Sequence, residues 1–292
     1  MSTAHTSTPA VPTGAKPWIV RSLWVGPALS EMEWACFSSF IKHGARFELF
    51  TEDLSRRVPT GVVLRDCREI LGNEIPRYGP QAGERQGSYA MAADVARIRT
   101  LLRDGGWWVD SDVVCLKSFA AIDDGVKFAW QDTPRGSNEL GSVNVAVIRL
   151  PPGSRIAQLV ERRSRMPWFG SPWEKPRLRL RNFWRTKRTI FNPYDVWWGM
   201  SAGPDALTRA IHYLDLTDEV LPFRSFYPVH YSNWRDMLTT TSDDLVRMAQ
   251  DSYAVHLWAE MYRDVGMDKG AAVRNSPWAA DLLEGFDAAG TR

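Results

Sequence analysis

The stretch that decides the fold runs Asp94-Val-Ala-Arg97-Ile-Arg-Thr-Leu-Leu-Arg-Asp-Gly-Gly-Trp-Trp-Val-Asp110-Ser-Asp112. Apolar residues at steps of three and four predict a helix from about Ser88 to Asp104, which the two glycines end. The β-forming residues Trp107 to Val109 then predict a strand. The carboxylates Asp110 and Asp112 therefore stand where that strand ends.

The residues before this stretch predict a strand, a helix and a second strand. Trp18 to Val25 is rich in β-forming residues, and a capping box of Ser30 and Glu33 begins the helix. Phe47 to Phe50 is the second strand, and later strands are expected at Gly141 to Leu150 and Ser252 to Trp258. This order predicts an α/β fold with a central mixed sheet flanked by helices.

Length and composition fit an ordinary soluble globular protein. The chain has 292 residues, 44% of them hydrophobic, and a formal net charge of +2. We expect a disordered leader at residues 1–16 and a single domain at 17–285. No apolar run is long enough to span a membrane, and the sequence has no secretory signal core. The three cysteines are widely spaced, which does not suggest a disulfide framework. We therefore expect the protein in a reducing cytoplasm.

Two carboxylates one residue apart at a strand end suit a divalent cation. Mg²⁺ and Mn²⁺ prefer oxygen ligands and keep coordination positions for phosphate oxygens. A solvated turn is the alternative for Asp110 and Asp112. Asp94 and Arg97 are neighbours on one helix face, so they could hold one ligand together or form a surface salt bridge.

The segment from Ala93 to Phe119 resembles the signature of the DXD-containing sugar-transfer glycosyltransferases, which include the alpha-1,4-galactosyl- and N-acetylglucosaminyltransferases. It is more distantly similar to the glucosyltransferase domains of large clostridial toxins. Further similar segments are Trp24-Val-Gly26, Asn144-x-Ala146, Gly203-Pro204-x-x-Leu207-Thr208, Leu221 to Pro228, and Ser252 to Trp258. The resemblance implies a GT-A type fold, with a nucleotide-binding half at 17–120 and an acceptor-binding half at 121–285.

The same resemblance implies metal-dependent transfer of a hexose or N-acetylhexosamine from a nucleotide sugar, with Mn²⁺ or Mg²⁺ as cofactor. A uridine diphosphate sugar is the expected donor and a hydroxyl group the acceptor. The resemblance implies that Asp112 and His256 bind the metal and that Asp110 binds both the ribose and the metal. Asn144 would be the central asparagine of the catalytic site. For the donor, Asp94 and Arg97 would hold sugar hydroxyls, Trp24 would stack on the base beside Gly26, and Trp258 would close over the diphosphate. For His256 and Trp258, a place in the core is the alternative.

Enzymes of this kind retain the anomeric configuration. Retention by two carboxylates requires a nucleophile beneath the anomeric carbon. The sequence offers Asp132, Glu139 and Asp195, none of them in a distinctive context. We favour attack from the same face, in which the departing phosphate oxygen takes the acceptor proton and no protein base is needed.

A basic block extends from Arg162 to Arg188, with ten Lys or Arg and a single Glu. Clustered cations attract anionic partners, so we expect the block to attract an anionic acceptor or a membrane surface that carries a lipid-linked one. The enzyme would then be cytoplasmic and peripheral to a membrane. The alternatives are a solvated loop, a charged edge strand at Arg177 to Arg181, or a nucleic-acid-binding protein built around the block. No nucleic-acid-binding motif accompanies it, so we do not expect a nucleic-acid partner.

A haloacid-dehalogenase-like phosphatase is the enzymatic alternative. Asp110-Ser-Asp112-Val-Val114 fits its Asp-x-Asp-x-Thr/Val motif, in which the first aspartate is phosphorylated. That motif usually lies near the start of its domain, whereas here a capped helix and two strands precede it. Hydrolysis of a simple phosphate ester would distinguish the two enzymes.

Overall fold

Strands and helices alternate along most of the chain in the computed structural model, which describes residues 18–133, 140–169, 171–196 and 202–286. The strands are β1 (Ile19–Trp24), β2 (Arg46–Thr51), β3 (Val63–Asp66), β4 (Gly106–Val109), β5 (Val113–Cys115), β6 (Phe128–Asp132), β7 (Ser142–Val143), β8 (Val147–Leu150), β9 (Val220–Leu221) and β10 (Ala254–His256). The helices are α1 (Glu31–Lys42), α2 (Arg68–Leu71), α3 (Ala90–Asp104), α4 (Arg155–Arg165), α5 (Pro176–Thr186), α6 (Pro204–Tyr213), α7 (Ser242–Asp251), α8 (Ala259–Asp264) and α9 (Lys269–Arg274). The predicted leader lies outside these ranges.

The largest sheet in the described residues has five strands in the order β3-β2-β1-β4-β8. The first four strands are parallel, and β8 joins antiparallel to β4. The carboxyl ends of β1 and β4 therefore meet at one edge, where ligands bind in open α/β sheets. The predicted α/β fold with a central mixed sheet is confirmed.

Helix ends follow the chemistry that the sequence predicts. The backbone N–H of Ser30 donates to Glu33 at 2.9 Å, which completes the capping box of α1. At the end of α3, Gly105 has φ +64°, and a Cβ there would lie 2.5 Å from the ring of Pro152. Only glycine fits this turn, so the chain can pass directly from α3 into β4.

The core lies on both faces of the five-stranded sheet. Trp107 and Trp108 are adjacent on β4 and both buried, and because side chains alternate along a strand they pack into opposite clusters. Trp107 joins an aromatic cluster that includes Phe40 and Phe119. Trp108 faces the cluster that holds Val95 of α3. The strand that ends at Asp110 is thus fixed from both sides.

A second, two-stranded sheet brings a distant part of the chain to the Asp-x-Asp segment. β10 pairs antiparallel with β5, and His256 is opposite Val113. The backbone N–H of Leu257 donates to the carbonyl of Asp112 at 2.8 Å. This pairing places His256 beside Asp112.

Two predicted strands are shorter in the structure. Between β7 and β8 the chain turns, because the side-chain oxygen of Asn144 accepts a hydrogen bond from the N–H of Ala146 at 2.7 Å. β10 ends at His256, and Trp258 has a left-handed backbone with φ +57°, a conformation that no strand can continue.

The segment from Pro151 to Pro193 is more regular than the sequence predicts, since it contains α4 and α5. The edge-strand alternative for Arg177 to Arg181 is wrong, because these residues lie in α5. Alternating Arg and Leu resembles strand periodicity, but Pro176 at the first helical turn and the long side chains of Arg and Leu favour a helix. Within the described ranges no helix, α5 included, is long and apolar enough to cross a membrane.

Candidate functional site

A cavity of about 930 Å³ opens at the carboxyl ends of β1 and β4. It lies where the five-stranded sheet meets β10 and the start of α8. Most residues that the sequence analysis assigned to a site line this one cavity: Trp24, Asp94, Arg97, Asp110, Asp112, Asn144, His256 and Trp258. Gly26 does not line it. Its N–H donates to Glu52, and its carbonyl accepts from Arg56 in the loop after β1.

A buried arginine joins two of the carboxylates. The guanidinium of Arg97 donates to Asp94 and to Asp110, each at 2.7 Å, and only 4% of its side chain is exposed. Burial alone would lower the pKa of Arg97, but the two carboxylates raise it, so it carries a full charge. Asp94 and Arg97 therefore form a buried bridge to the strand end, and the surface-salt-bridge alternative does not hold.

The two carboxylates of this bridge have further donors. Tyr78 donates its hydroxyl to Asp94 at 2.9 Å, and Trp108 donates its indole N–H to Asp110 at 2.8 Å. Burial raises the pKa of Asp94, although Arg97 and Tyr78 oppose the shift. Both hydrogen bonds to Asp110 fall on Oδ1, and the side chain is 25% exposed where it lines the cavity. The arrangement fixes the position of one carboxylate oxygen and keeps the other available to a ligand.

Asp112 is held by the segment that follows β10. Its Oδ2 accepts from the N–H of Ala259 at 2.9 Å and lies 3.1 Å from Nε2 of His256. Burial would raise the pKa of Asp112, but His256 and the Ala259 hydrogen bond lower it to about 2. The carboxylate is thus ionised at any physiological pH and faces the cavity beside an imidazole.

Asp110, Asp112 and His256 offer atoms of the kind that bind divalent cations. Two carboxylates and one imidazole form an oxygen and nitrogen set suited to Mn²⁺ or Mg²⁺. Nδ1 of His256 is buried and has no hydrogen-bond partner among the described residues, whereas Nε2 is directed at Asp112. In the described ranges no three His, Cys, Asp or Glu side chains form a ready cluster. A cation here would have to draw Asp112 and His256 apart to bind both.

Trp24 lies at the end of β1 with its ring toward the cavity. The indole N–H donates to the carbonyl of Pro27 at 2.8 Å, which fixes the ring. The ammonium of Lys269 lies 4.8 Å from the ring centroid and is paired with Glu33. A flat, anchored ring with a cation over it is suited to hold an anionic aromatic ligand.

Asn144 and Trp258 also line the cavity, and both are tightly held. Asn144 is 4% exposed and donates to the side chain of Gln131 at 2.9 Å. Trp258 donates to the carbonyl of Val229 at 2.9 Å, and its ring lies 4.1 Å from that of His256. Trp258 is thus part of the wall of the cavity in this state.

Of the three carboxylates considered as nucleophiles, Glu139 lies outside the described residues. Asp132 and Asp195 do not line the cavity. Asp132 lies 3.3 Å from Nε2 of His230, and Asp195 accepts from the N–H of Gln81 at 2.8 Å. Both side chains therefore make their contacts outside the cavity.

Several residues of the cavity were missed by the sequence analysis. Arg85, in the short 3-10 segment Pro80–Arg85, forms ion pairs with Glu260 and Asp264 of α8. This contact joins the two sides of the cavity. Lys269 was missed as well. Arg85, Glu260 and Lys269 lie in polar segments without periodicity, and nothing in the sequence sets them apart from other surface charges.

Comparison with known proteins identifies the class. Residues 188–276 match the model of the alpha 1,4-glycosyltransferase conserved region. This match covers less than a third of the chain, and it confirms the resemblance to glycosyltransferases found in the sequence. The matched region includes α6, β9 and β10, and so His256 and Trp258. None of the curated proteins compared with the chain matches it.

Three solved structures of glycosyltransferases are similar to the chain. The PaToxG glycosyltransferase aligns over 92% of this chain and 87% of its own, with 14% identity and a TM-score of 0.43. GlyE of Streptococcus pneumoniae TIGR4 aligns over 94% and 64%, with 12% identity and a TM-score of 0.39. The bifunctional WbbM aligns over 94% and 52%, with 11% identity and a TM-score of 0.39. The chain thus spans about half of WbbM.

Proposed function

We propose that the protein is a metal-dependent, retaining glycosyltransferase that moves a hexose or N-acetylhexosamine from a nucleotide sugar, with uridine diphosphate as the carrier, to a hydroxyl acceptor. One observation carries the proposal. Asp94, Arg97, Asp110, Asp112 and His256, which come from three separate segments, line a single cavity at the carboxyl edge of the sheet. A cavity of about 930 Å³ is of the size that small-molecule sites have.

The donor is bound by groups that the fold holds still. Trp24 stacks on the base, and the free Oδ2 of Asp110 accepts from a ribose hydroxyl. Asp94 and Arg97 receive the donor sugar, since they line the cavity as a pair whose charges are balanced by each other and by Asp110. Groups fixed in advance lose little conformational entropy on binding, which favours a precise orientation of the sugar.

A divalent cation would be held by Asp112, Asp110 and His256. When bound there, Mn²⁺ or Mg²⁺ neutralises the charge that develops on the departing diphosphate. Lys269, which lies at the Trp24 ring and is paired with Glu33, would border the bound nucleotide. A fixed charge near the leaving group stabilises the transition state more than the bound donor.

Retention follows from attack on the same face. The bond between the anomeric carbon and the phosphate oxygen breaks, the acceptor oxygen bonds to that carbon from the same side, and the acceptor proton passes to the departing phosphate oxygen. Every carboxylate that lines the cavity in the described residues already accepts a hydrogen bond or ion pair: Asp94, Asp110, Asp112, Glu260 and Asp268. The same-face route gives none of these carboxylates the role of nucleophile, so each can keep the contacts it has.

We propose that the acceptor binds on the side of α6. A second cavity of about 390 Å³ borders the first and shares Pro204 with it. Thr208 in this second cavity accepts from the N–H of Val143 at 3.0 Å, which joins α6 to β7. We propose an anionic or lipid-linked acceptor, a cytoplasmic location and peripheral contact with a membrane, on the charge of the basic block.

A panel of nucleotide sugars, each assayed with and without Mn²⁺, tests the proposed function. We expect slow release of uridine diphosphate from a uridine diphosphate sugar only when the cation is present. Proton NMR of the released sugar before mutarotation should show the anomer of the donor. Full turnover with a chelator present, or rapid hydrolysis of a simple phosphate ester, would contradict the proposal.

His256→Ala tests the metal role apart from catalysis. We expect the dissociation constant of Mn²⁺ without donor to rise at least about 10-fold, since loss of even an outer-shell partner of a metal ligand has that effect. His230→Ala is the matched control, because His230 also pairs with an aspartate but lies outside the cavity. Equal Mn²⁺ affinity in all three proteins would place His256 in the core.

Trp24→Ala tests base recognition. Stacking of a base on an aromatic ring contributes about 1–3 kcal/mol, so uridine diphosphate and its sugars should all bind roughly 10-fold more weakly. Trp184→Ala, on the exposed face of α5, is the control and should bind both ligands as the wild type does. Calorimetric titration measures the dissociation constants of uridine diphosphate and of the nucleotide sugar. A change confined to the nucleotide sugar would show that Trp24 contacts the sugar instead of the base.

A further inference from the structure

α5 and the turn after it expose large apolar side chains. Leu180 is 63% exposed, Trp184 61% and Phe191 92%, and Phe183 and Ile190 are also exposed. Leu180, Phe183 and Trp184 are spaced at i, i+3 and i+4, so they lie on one face of the helix. Three exposed apolar residues on one short helix form a continuous surface that water does not favour.

Exposed cations border this apolar face. Arg177 lies one turn before Leu180, Arg181 follows it on the flank, and Lys187 places its ammonium 4.7 Å from the ring centroid of Trp184. The wider segment, residues 162–188, has ten Lys or Arg and one Glu. An apolar face edged by cations is the pattern of helices that lie in a membrane interface.

The opposite side of the segment is anchored to the protein. Arg163 is 8% exposed, donates to Ser171, and pairs with Glu174 at 3.2 Å. Arg179 is turned back to the carbonyls of Pro172 and Glu174, each at 3.0 Å. Two arginines of the basic block thus stabilise the segment, and the helix is held with its apolar face outward.

We propose that this surface, residues 176–191, binds the interface of a membrane that contains anionic lipids. Leu180, Trp184 and Phe191 enter the boundary between headgroups and acyl chains, while Arg177 and Lys187 contact lipid phosphates. Charge complementarity favours an anionic surface, and the aliphatic Leu180 and Ile190 favour lipid over nucleic acid, whose contacts with protein are phosphates and stacked bases. The proposal rests on the membrane contact proposed above and assigns it to this surface, and it does not depend on the transferase activity.

Co-sedimentation of the full chain with vesicles tests this proposal. We expect binding at physiological salt to vesicles of phosphatidylcholine with about 30% phosphatidylserine, and much weaker binding to phosphatidylcholine alone. The variant Arg177→Gln, Arg181→Gln, Lys187→Gln should bind about 100-fold more weakly, at roughly fivefold per cation lost. The variant Leu180→Ser, Trp184→Ser, Phe191→Ser should lose at least about 10-fold by loss of apolar burial.

The control variant changes one exposed apolar residue and two exposed arginines on other helices: Val246→Ser, which is 68% exposed, with Arg103→Gln and Arg247→Gln. It should bind vesicles as the wild type does. All variants should keep the wild-type melting temperature and hydrolyse the donor in solution at the wild-type rate, so failure of membrane binding is separate from failure of the proposed sugar-transfer reaction. Vesicle binding equal in all variants overturns the proposal. Tight binding of a short single-stranded RNA, lost in the two α5 variants, would assign the surface to nucleic acid instead.

Discussion

Asp112→Asn should lower donor turnover by about 10³-fold while the protein stays folded. The substitution removes a charge that lines the cavity, and charge stabilisation of a departing diphosphate is a matter of several kcal/mol. The amide oxygen of asparagine can still accept from the N–H of Ala259, so the contact with α8 is kept. Stopped assays of uridine diphosphate release, with a thermal melt of each protein, measure both effects.

The matched control for this variant is Asp132→Asn. Asp132 also pairs with Nε2 of a histidine, at 3.3 Å against 3.1 Å for Asp112, but it lies outside the cavity and its side chain is 42% exposed. Turnover of the control should be within about twofold of the wild type, as a surface ion pair contributes little. Equal losses in the two variants would show that the assay reports stability, and equal activity would remove Asp112 from the mechanism.

Arg97→Ala should unfold part of the population and abolish donor binding. Removal of one partner from a buried ion pair costs about 3–5 kcal/mol, because the remaining charges stay buried without compensation. Here two carboxylates, Asp94 and Asp110, would lose the same guanidinium. Arg97→Lys keeps one charge but cannot bridge both carboxylates with a planar fork, so we expect an intermediate loss of stability.

Arg103→Ala is the control on the same helix. Arg103 is 41% exposed and pairs with the adjacent Asp104, so its loss should change the free energy of unfolding by less than about 1 kcal/mol. Urea denaturation of the three variants and the wild type measures the free energy of unfolding of each protein and so ranks their stabilities. If Arg97→Ala is as stable as Arg103→Ala and loses only the affinity for nucleotide sugar, then Arg97 acts on the donor and is not needed by the fold.

The sequence predicts the first half of the fold well because its signals are local. The capping box at Ser30, the apolar spacing in α3 and the glycine pair after it are each set by neighbours in the chain. β3 was missed, since its four residues are only half-buried and show no clear alternation. α4 and α5 were missed because prolines and clustered arginines hide the helical period.

The residues of the candidate site also fall into two groups: those that a local sequence signal predicts, and those that only the folded structure brings together. Asp110 and Asp112 could be found from their place at a strand end, and His256 only from resemblance to a family. The Arg97 bridge to Asp110 could not be predicted as buried, because burial depends on Tyr78 and Trp108 packing from other elements. Lys269 over Trp24 is a contact between the first strand and the last helix, and no spacing in the chain encodes it.

The hydrogen bond from Ala259 to Asp112 joins residues 147 positions apart, and this has a consequence for synthesis. At about 5–20 residues per second, a ribosome would need roughly 7–30 s to add the missing partner after Asp112 has been made. During that interval β5 lacks β10, with which it pairs in the described sheets, and presents an open apolar edge. The nascent chain thus exposes an unpaired edge while its Asp-x-Asp segment is already complete, and the arrival of β10 both covers that edge and adds His256 to the wall of the cavity.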